Sequence, residues 1–341
     1  MTASSGQPQF SQLYRSRFNR VRLFRCAYSR PKGLKTMLAR FAKSDRRLFV
    51  KAYRNYNRFF RREIWNIGIV NERISVFLEC DAKPAIRWLG PPREGKFLAD
   101  PFAIVRNETV YILCEEVDSR VGKGRIACVQ LSNGIIPSDP KVVIEQPVHM
   151  SYPYLVEHRG SVYCIPETYQ AREISLYKAQ EFPWKWTKCT SLVRNFAGVD
   201  ATVFQFQDRW WLTCTNEDVG STKKLFVWYA PDLLGPWKPH SANPVKTDVR
   251  SSRPAGTPFM YKGHLYRPAQ DCSRVYGGRV VLNRLEELTP TEFKEEPEAV
   301  IEPRPDSSYP DGLHTVSAAG DITLLDGKRY VPRRSLSVVT E

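Results

Sequence analysis

The chain has 341 residues, 42% of them hydrophobic and 12% aromatic, with 25 prolines and a formal charge of +15. That supplies one large core, or one core with an appendage, and favours short strands and turns over a helical bundle. The charge is unevenly placed: residues 1–62 hold 17 Lys and Arg against one acidic residue, Asp45, while residues 63–341 hold 34 against 35. A body this close to neutral argues against a fold that grips a nucleic-acid backbone across its face.

The first ten residues, MTASSGQPQF, are small and polar and read as disordered. From Leu34 to Phe60 the apolar positions fall at helical spacing (Leu34, Met37, Leu38 and Phe41, then Leu48, Phe49, Ala52, Tyr53, Tyr56 and Phe60), with Lys and Arg largely between them. This predicts one or two basic amphipathic helices over residues 34–62, the second capped by Ser44. Such a face suits an anionic membrane surface, and equally suits packing against the body. Nucleic acid is the weaker third partner, through YRNYNRFFRR. We therefore divide the chain into an extension, 1–62, and a body, 63–341. No apolar run approaches the roughly 20 residues of a membrane-spanning helix, and no secretory h-region follows the start. The eight cysteines form no CxxC pair, and Cys114, Cys164 and Cys214 sit in apolar strand patterns. They read as reduced, buried thiols of a cytoplasmic protein, peripheral at the inner membrane surface if the extension binds it.

Beyond Trp65 the pattern turns to short β-rich runs, IGIV, ISVFL and AIRWL, and then the body repeats itself. Units begin at Leu98, Ser151, Gly198, Ser252 and, more weakly, Pro310. Each has a polar or proline entry, a short apolar strand, a turn and a second apolar strand. Two more strands fit in the gap after each of the first four (GRIACVQL, EISLYKA, KLFVWYA, RVVLNRL). Four strands in about 40–50 residues make one propeller blade. The expected fold is all-β: a five-bladed β-propeller with four-stranded blades. IGIV and ISVFL are expected to supply the fifth blade's outer strands and close the ring. A sandwich or jelly roll gives no reason for this repeat.

In such a blade the start of the first strand and the end of the second lie at the same face. Starts bring Asp100, Tyr152, Asp200, Arg253, Asp311 and His314 to one channel mouth; ends bring Glu115, Glu116, Glu167, Asn216, Gln270 and Asp271. Polar groups so gathered read as a small-molecule pocket.

Several stretches resemble a known family: WNIGIV (65–70), FLADPF (97–102), MSYPYLVEHRGSVYCIPE (150–167), YKAQEFPWKW (177–186), VDATVF (199–204), LLGPWKPHSANPV (233–245), SRPAG (252–256) and LYRPAQDC (265–272). Together they look like the N-terminal propeller domain of glucosamine inositolphosphorylceramide transferases, whose bacterial homologues occur alone or beside formyltransferase-like modules. The resemblance implies a five-bladed propeller related in fold to glycosidases, and a place in polysaccharide or glycolipid synthesis. No stretch of these residues is expected to form the transferase module of the plant enzymes.

The resemblance matches Asp100 to the first-blade carboxylate of the propeller glycosidases, a base or nucleophile; its alternative is an Asp-Pro turn. Glu167 is the candidate general acid, or a carboxylate that binds backbone N–H groups. Asp200 would orient the pair or hold a hydroxyl. The blade order here, Asp, Glu, Asp, departs from the glycosidases' Asp, Asp, Glu and puts hydrolysis in doubt. Glu116, Tyr152, Arg253, Asp271 and His314 are the candidate ligand contacts, with Arg253 either clamping an anionic group or pairing with Asp200 or Asp271. No His with Asp or Glu has metal-ligand spacing and no phosphate loop or nucleophile elbow appears, so neither a metal nor another cofactor is expected. The tryptophans read mostly as core. The expected function is a propeller that binds, and in one version processes, a sugar or glycoconjugate. The rivals are a glycoside hydrolase using Asp100 and Glu167, and a non-catalytic scaffold for a partner glycosyltransferase or formyltransferase.

Overall fold

The computed structural model describes residues 60–132 and 139–332. Of the helical stretch expected at 34–62, all but residues 60–62 lie outside the described residues, and Arg61 and Arg62 already open a strand.

Five sheets follow the five repeats. Blade 1 is Lys96–Arg106, Thr109–Asp118, Lys123–Ser132 and Lys141–Ile144. Blade 2 is Ser151–His158, Ser161–Glu167, Glu173–Glu181 and Lys185–Arg194. Blade 3 is Gly198–Phe206, Arg209–Asn216, Lys224–Ala230 and Lys238–Pro239, with Lys246–Thr247 also paired to the third strand. Blade 4 is Phe259–Tyr261, His264–Asp271, Arg279–Leu288 and Phe293–Ile301. Blade 5 combines Val316–Ala319 and Ile322–Pro332 with Arg61–Val70 and Arg87–Trp88. All pairs within blades are antiparallel, as tight hairpins require.

The ring closes with the upstream run IGIV, which lies in Arg61–Val70 and pairs residue for residue with Ile322–Pro332. ISVFL does not take the outer place. It forms a 3-10 turn, Ile74–Leu78, whose Phe77 and Leu78 pack on the cluster of Val70, Leu282 and Leu325. The outer strand is instead Arg87–Trp88, held by only two residue pairs. In blades 4 and 5 the inner strands start late, because Pro254, Gly256 and Gly312 run as irregular backbone held by single bridges to Ala269, Val316 and Lys328.

The core lies between neighbouring blades. Strand alternation sends Ile112, Cys114, Leu212, Cys214, Leu282 and Leu324 inward, all wholly buried. Each fully buried Leu or Ile contributes roughly 1.5–3 kcal/mol. Seven cysteines are described, all free; Cys114, Cys128, Cys164 and Cys214 are buried, while Cys80 and Cys189 are exposed. Among the described residues no helix is long and apolar enough to cross a membrane.

Candidate functional site

The inner strands of blades 1, 2 and 3 share one irregularity. Their pairing skips between Ala99 and Phe102, Ser151 and Tyr154, and Val199 and Thr202. In each skip one residue adopts the left-handed region: Asp100 at φ 52, Tyr152 at φ 44 and Asp200 at φ 53. Such a backbone costs an L-residue about 1–2 kcal/mol, so something must hold it. A carboxylate from the preceding blade does. Asp100 N–H donates to Asp326 Oδ2 (3.1 Å), Tyr152 N–H to Asp100 Oδ2 (3.3 Å), and Asp200 N–H to Glu167 Oε2 (3.0 Å). These bulges re-aim the strand starts and pass hydrogen bonds from blade to blade.

Asp100, Glu167, Arg253 and His314, from four different blades, line one cavity of about 420 Å³, inside the roughly 300–1,000 Å³ range of small-molecule sites. Glu115, His149, Trp65 and Tyr276 also line it. Asp200 sits directly behind, 2% exposed, gripped by Arg253 Nε (2.6 Å) and by Gln270 Nε2 (2.8 Å). Arg253 is thus paired with Asp200 while still facing the cavity, its Nη2 3.9 Å from Glu167 Oε2.

The other named residues do not reach the cavity. Tyr152 is wholly buried, its hydroxyl beside Thr202 Oγ1 (2.8 Å) and accepting from Gly256 N–H (2.7 Å), because the bulge turns its ring into the core against Phe102. Glu116 faces away: side chains alternate along a strand, so Glu115 takes the cavity side and Glu116 is left with Lys96 (3.0 Å) and Arg125 (2.7 Å). Asp271 is held by Arg279 (2.8 Å) and by Ser273 N–H (2.9 Å).

Asp326 was not singled out by sequence. It lies inside the buried stretch of the fifth blade's second strand, residues 323–328, and a lone carboxylate within that apolar run was the signal available to find it. Its Oδ1 accepts from His314 N–H (2.9 Å) and Thr315 N–H (3.1 Å), and its Oδ2 lies 2.6 Å from His314 Nδ1. Ligand atoms of Asp100, His314 and Asp326 fall within 4.8 Å of one another; the bonds just described, and one from Thr315 Oγ1 to Asp100 Oδ1 (2.5 Å), account for that closeness. His149 was also missed. Its Nε2 is 3.0 Å from Glu115 Oε1 and its Nδ1 accepts from Gly124 N–H (3.0 Å). The bond to Glu115 raises its pKa, but the backbone N–H on Nδ1 opposes a second proton.

Burial separates the titrations. Burial, then the neighbouring Asp200 charge, pushes Glu167 well above the usual carboxylate range, with Arg253 opposing. Burial raises Asp100 to about 7 against the pull of His314. Burial would lower His314, but Asp326 and Asp100 outweigh it and bring the ring to about 9. At neutral pH the cavity therefore holds a protonated Glu167, a half-ionised Asp100 and an imidazolium His314. That is a proton donor and a proton acceptor within one small space.

Sequence comparison places the chain among known proteins. It is 32% identical over 225 residues to glucosamine inositolphosphorylceramide transferase 1 of Oryza sativa subsp. japonica, covering 63% of this chain and 30% of that protein. The Arabidopsis thaliana protein of the same name is 32% identical over 205 residues, 58% of this chain and 27% of that one. The chain thus spans less than a third of the length of these relatives. In structure it is similar to Zg3597, a family 117 glycoside hydrolase produced by the marine bacterium Zobellia galactanivorans. The TM-score is 0.50 at 15% identity, covering 70% of this chain and 87% of that one; at this identity the likeness shows the fold alone. Residues 89–306 match the family described as glucosamine inositolphosphorylceramide transferase 1, N-terminal, and the chain belongs to that family.

Proposed function

We propose that the cavity binds one sugar unit of a glycan or glycolipid head group, and that Glu167 and Asp100 form an acid–base pair acting on it. One observation carries the reading: two buried carboxyls from neighbouring blades line a single small cavity, with Glu167 held protonated and Asp100 poised near neutrality. In the reaction Glu167 gives its proton to the oxygen that leaves the anomeric carbon. Asp100 takes the proton of the attacking hydroxyl, whether of water or of an acceptor sugar, as the new C–O bond forms. Asp200, bonded to Arg253, is the neighbour that helps keep the Glu167 proton in place. Relatives that carry this region within longer chains are named as glucosamine inositolphosphorylceramide transferases, which supports a glycoconjugate ligand and work beside a transferase in polysaccharide or glycolipid synthesis. The basic segment 1–62 would hold the protein at an anionic membrane surface on the cytoplasmic side.

The test is titration of the full chain with the methyl glycosides of glucose, galactose, mannose, glucosamine and glucuronic acid, followed by turnover on glycans that contain the sugar bound. Asp100→Asn and Glu167→Gln keep the side-chain shape, so binding should stay within a few-fold while turnover falls by about 10²–10⁴. Turnover of the unaltered protein should rise as pH passes about 7, where Asp100 ionises, and fall again where Glu167 loses its proton. If the protein binds none of the five glycosides, the reading is wrong. Binding with no turnover, on any glycan containing the bound sugar, would remove the acid–base pair and leave a binding module.

A further inference from the structure

The polar groups of the cavity account for only half of what a sugar presents. A pyranose ring has polar edges but apolar C–H faces, and a site that selects it needs an aromatic surface for the face. Four aromatic side chains line the cavity: Trp65, Phe97, Tyr169 and Tyr276. Trp65 is 3% exposed and carries the His314 imidazole stacked on it, ring centroids 4.0 Å apart. Tyr276 is 44% exposed. It is also the one open ring that touches the polar floor. It meets His314 edge-on at 5.4 Å, and the Arg253 guanidinium lies 5.1 Å from its centroid.

Tyr276 sits in the hairpin between the second and third strands of blade 4, a place where sequence alone gives no strand pattern to read. A buried cation holds that hairpin. Lys328, wholly buried in the second strand of blade 5, donates from Nζ to the carbonyl oxygen of Tyr276. Its ammonium lies 5.1 Å from the Trp65 ring centroid and 5.5 Å from that of Tyr330, and the nearest carboxylate, Glu63, is 3.8 Å away. Burial lowers the lysine's pKa, a cost that an unpaired side chain would not repay. Its one short bond goes to the hairpin. The next residue, Gly277, has φ +57, and a Cβ there would come within 2.5 Å of Trp65 and 3.2 Å of His314. The backbone is thus pressed against the two rings that form the cavity wall.

We infer that Tyr276 is the stacking platform for the ligand's ring, and that Lys328 is the positioning residue that fixes it there. This rests on the reading of the cavity as a sugar site. The experiment uses the full chain and the same five methyl glycosides. Tyr276→Phe keeps the ring and should bind within about twofold of the unaltered protein. Tyr276→Ala should bind about tenfold more weakly. Lys328→Met should weaken binding by a similar factor, and the Tyr276→Ala/Lys328→Met double variant should be no weaker than Tyr276→Ala alone, since the lysine acts through the ring. Hydrogen exchange gives a readout that needs no ligand: amides of residues 272–278 should exchange at least tenfold faster in Lys328→Met, with other hairpins unchanged. Should Lys328→Met fail to fold, Gly277→Ala displaces the same backbone and should weaken binding in the same way. Normal glycoside binding by Tyr276→Ala would overturn the platform and leave the sugar site standing. Additive losses in the double variant, or unaltered exchange, would overturn the role of Lys328. Failure of all five glycosides on the unaltered protein would overturn the sugar site and the platform together.

Discussion

Asp326 sets the charge on the cavity floor, and replacing it with Asn isolates that effect. The carboxylate accepts three backbone N–H bonds and faces His314 Nδ1 at 2.6 Å. An amide of the same shape keeps one acceptor oxygen and turns an NH₂ toward the remaining donors. The His314 ring titrates at about 9 because Asp326, then Asp100, overcome the lowering by burial. With Asp326 gone, Asp100 and Asp200 are left to oppose burial, the largest influence, and the ring should titrate near its ordinary 6.5. The fall from about 9 to 6.5 is ~2.5 pH units, or about 3 kcal/mol at 1.36 kcal/mol per unit. The sign follows from linkage. A histidine whose folded pKa lies above its unfolded value contributes stability that is complete below pH 6.5 and is lost as pH rises through about 9. Urea unfolding at pH 6 and at pH 9.5 should therefore show that slope in the unaltered protein and not in Asp326→Asn, which should already be weaker at pH 6. Imidazole NMR titration reads the pKa directly. A ring that still titrates near 9 in the variant, or an undiminished loss of stability between the two pH values, would refute the assignment.

Two other outcomes follow from the buried contacts. Tyr152→Phe strands the Gly256 N–H and should cost about 1–3 kcal/mol in urea unfolding while leaving glycoside affinity unchanged, because the hydroxyl lies in the core and not in the cavity. Arg267→Met leaves Glu295, whose side chain is 1% exposed, with Lys246 as its one remaining cation, and should cost about 3–5 kcal/mol; Arg267→Met with Glu295→Leu should recover much of that loss by the same measurement.

The repeat at Leu98, Ser151, Gly198, Ser252 and Pro310 was legible because each blade must bury the same alternating pair of strands, and alternation is written in the residues themselves. The closure by IGIV was legible for the same reason: a fifth blade short of two strands needs them from upstream. The direction of individual side chains was harder. A bulge shifts the alternation by one at all three starts, and what each side chain then meets is set by its neighbours: Asp100 accepts from Thr315 Oγ1 and Tyr152 N–H, Asp200 pairs with Arg253, and the Tyr152 ring packs on Phe102. Glu115 and Glu116 differ only in parity, and their strand is buried on both faces from Ile112 to Val117, so no polar and apolar alternation tells which of them meets the cavity. ISVFL has the composition of a strand but lacks an edge to pair with, since Arg87–Trp88 occupies it. Lys328 and Tyr276 carry no pattern at all. One is a lone lysine in an apolar strand, the other a tyrosine in a turn, and only the packing of blade 4 against blade 5 joins them.

The closure of the ring also has a consequence in time. Arg61–Val70 pairs with Ile322–Pro332, partners roughly 250 residues apart in sequence. At the ribosome's ~5–20 residues per second, the early strand waits about 10–50 seconds for its mate. Through that interval it is an unpaired edge rich in Ile and Val, open to pairing with any other nascent strand. It also carries Glu63 and Trp65, so the cavity wall is completed only in the last step of assembly. A molecule caught before that step would present four blades and no pocket, and ligand added during synthesis would recognise only chains whose ring has closed.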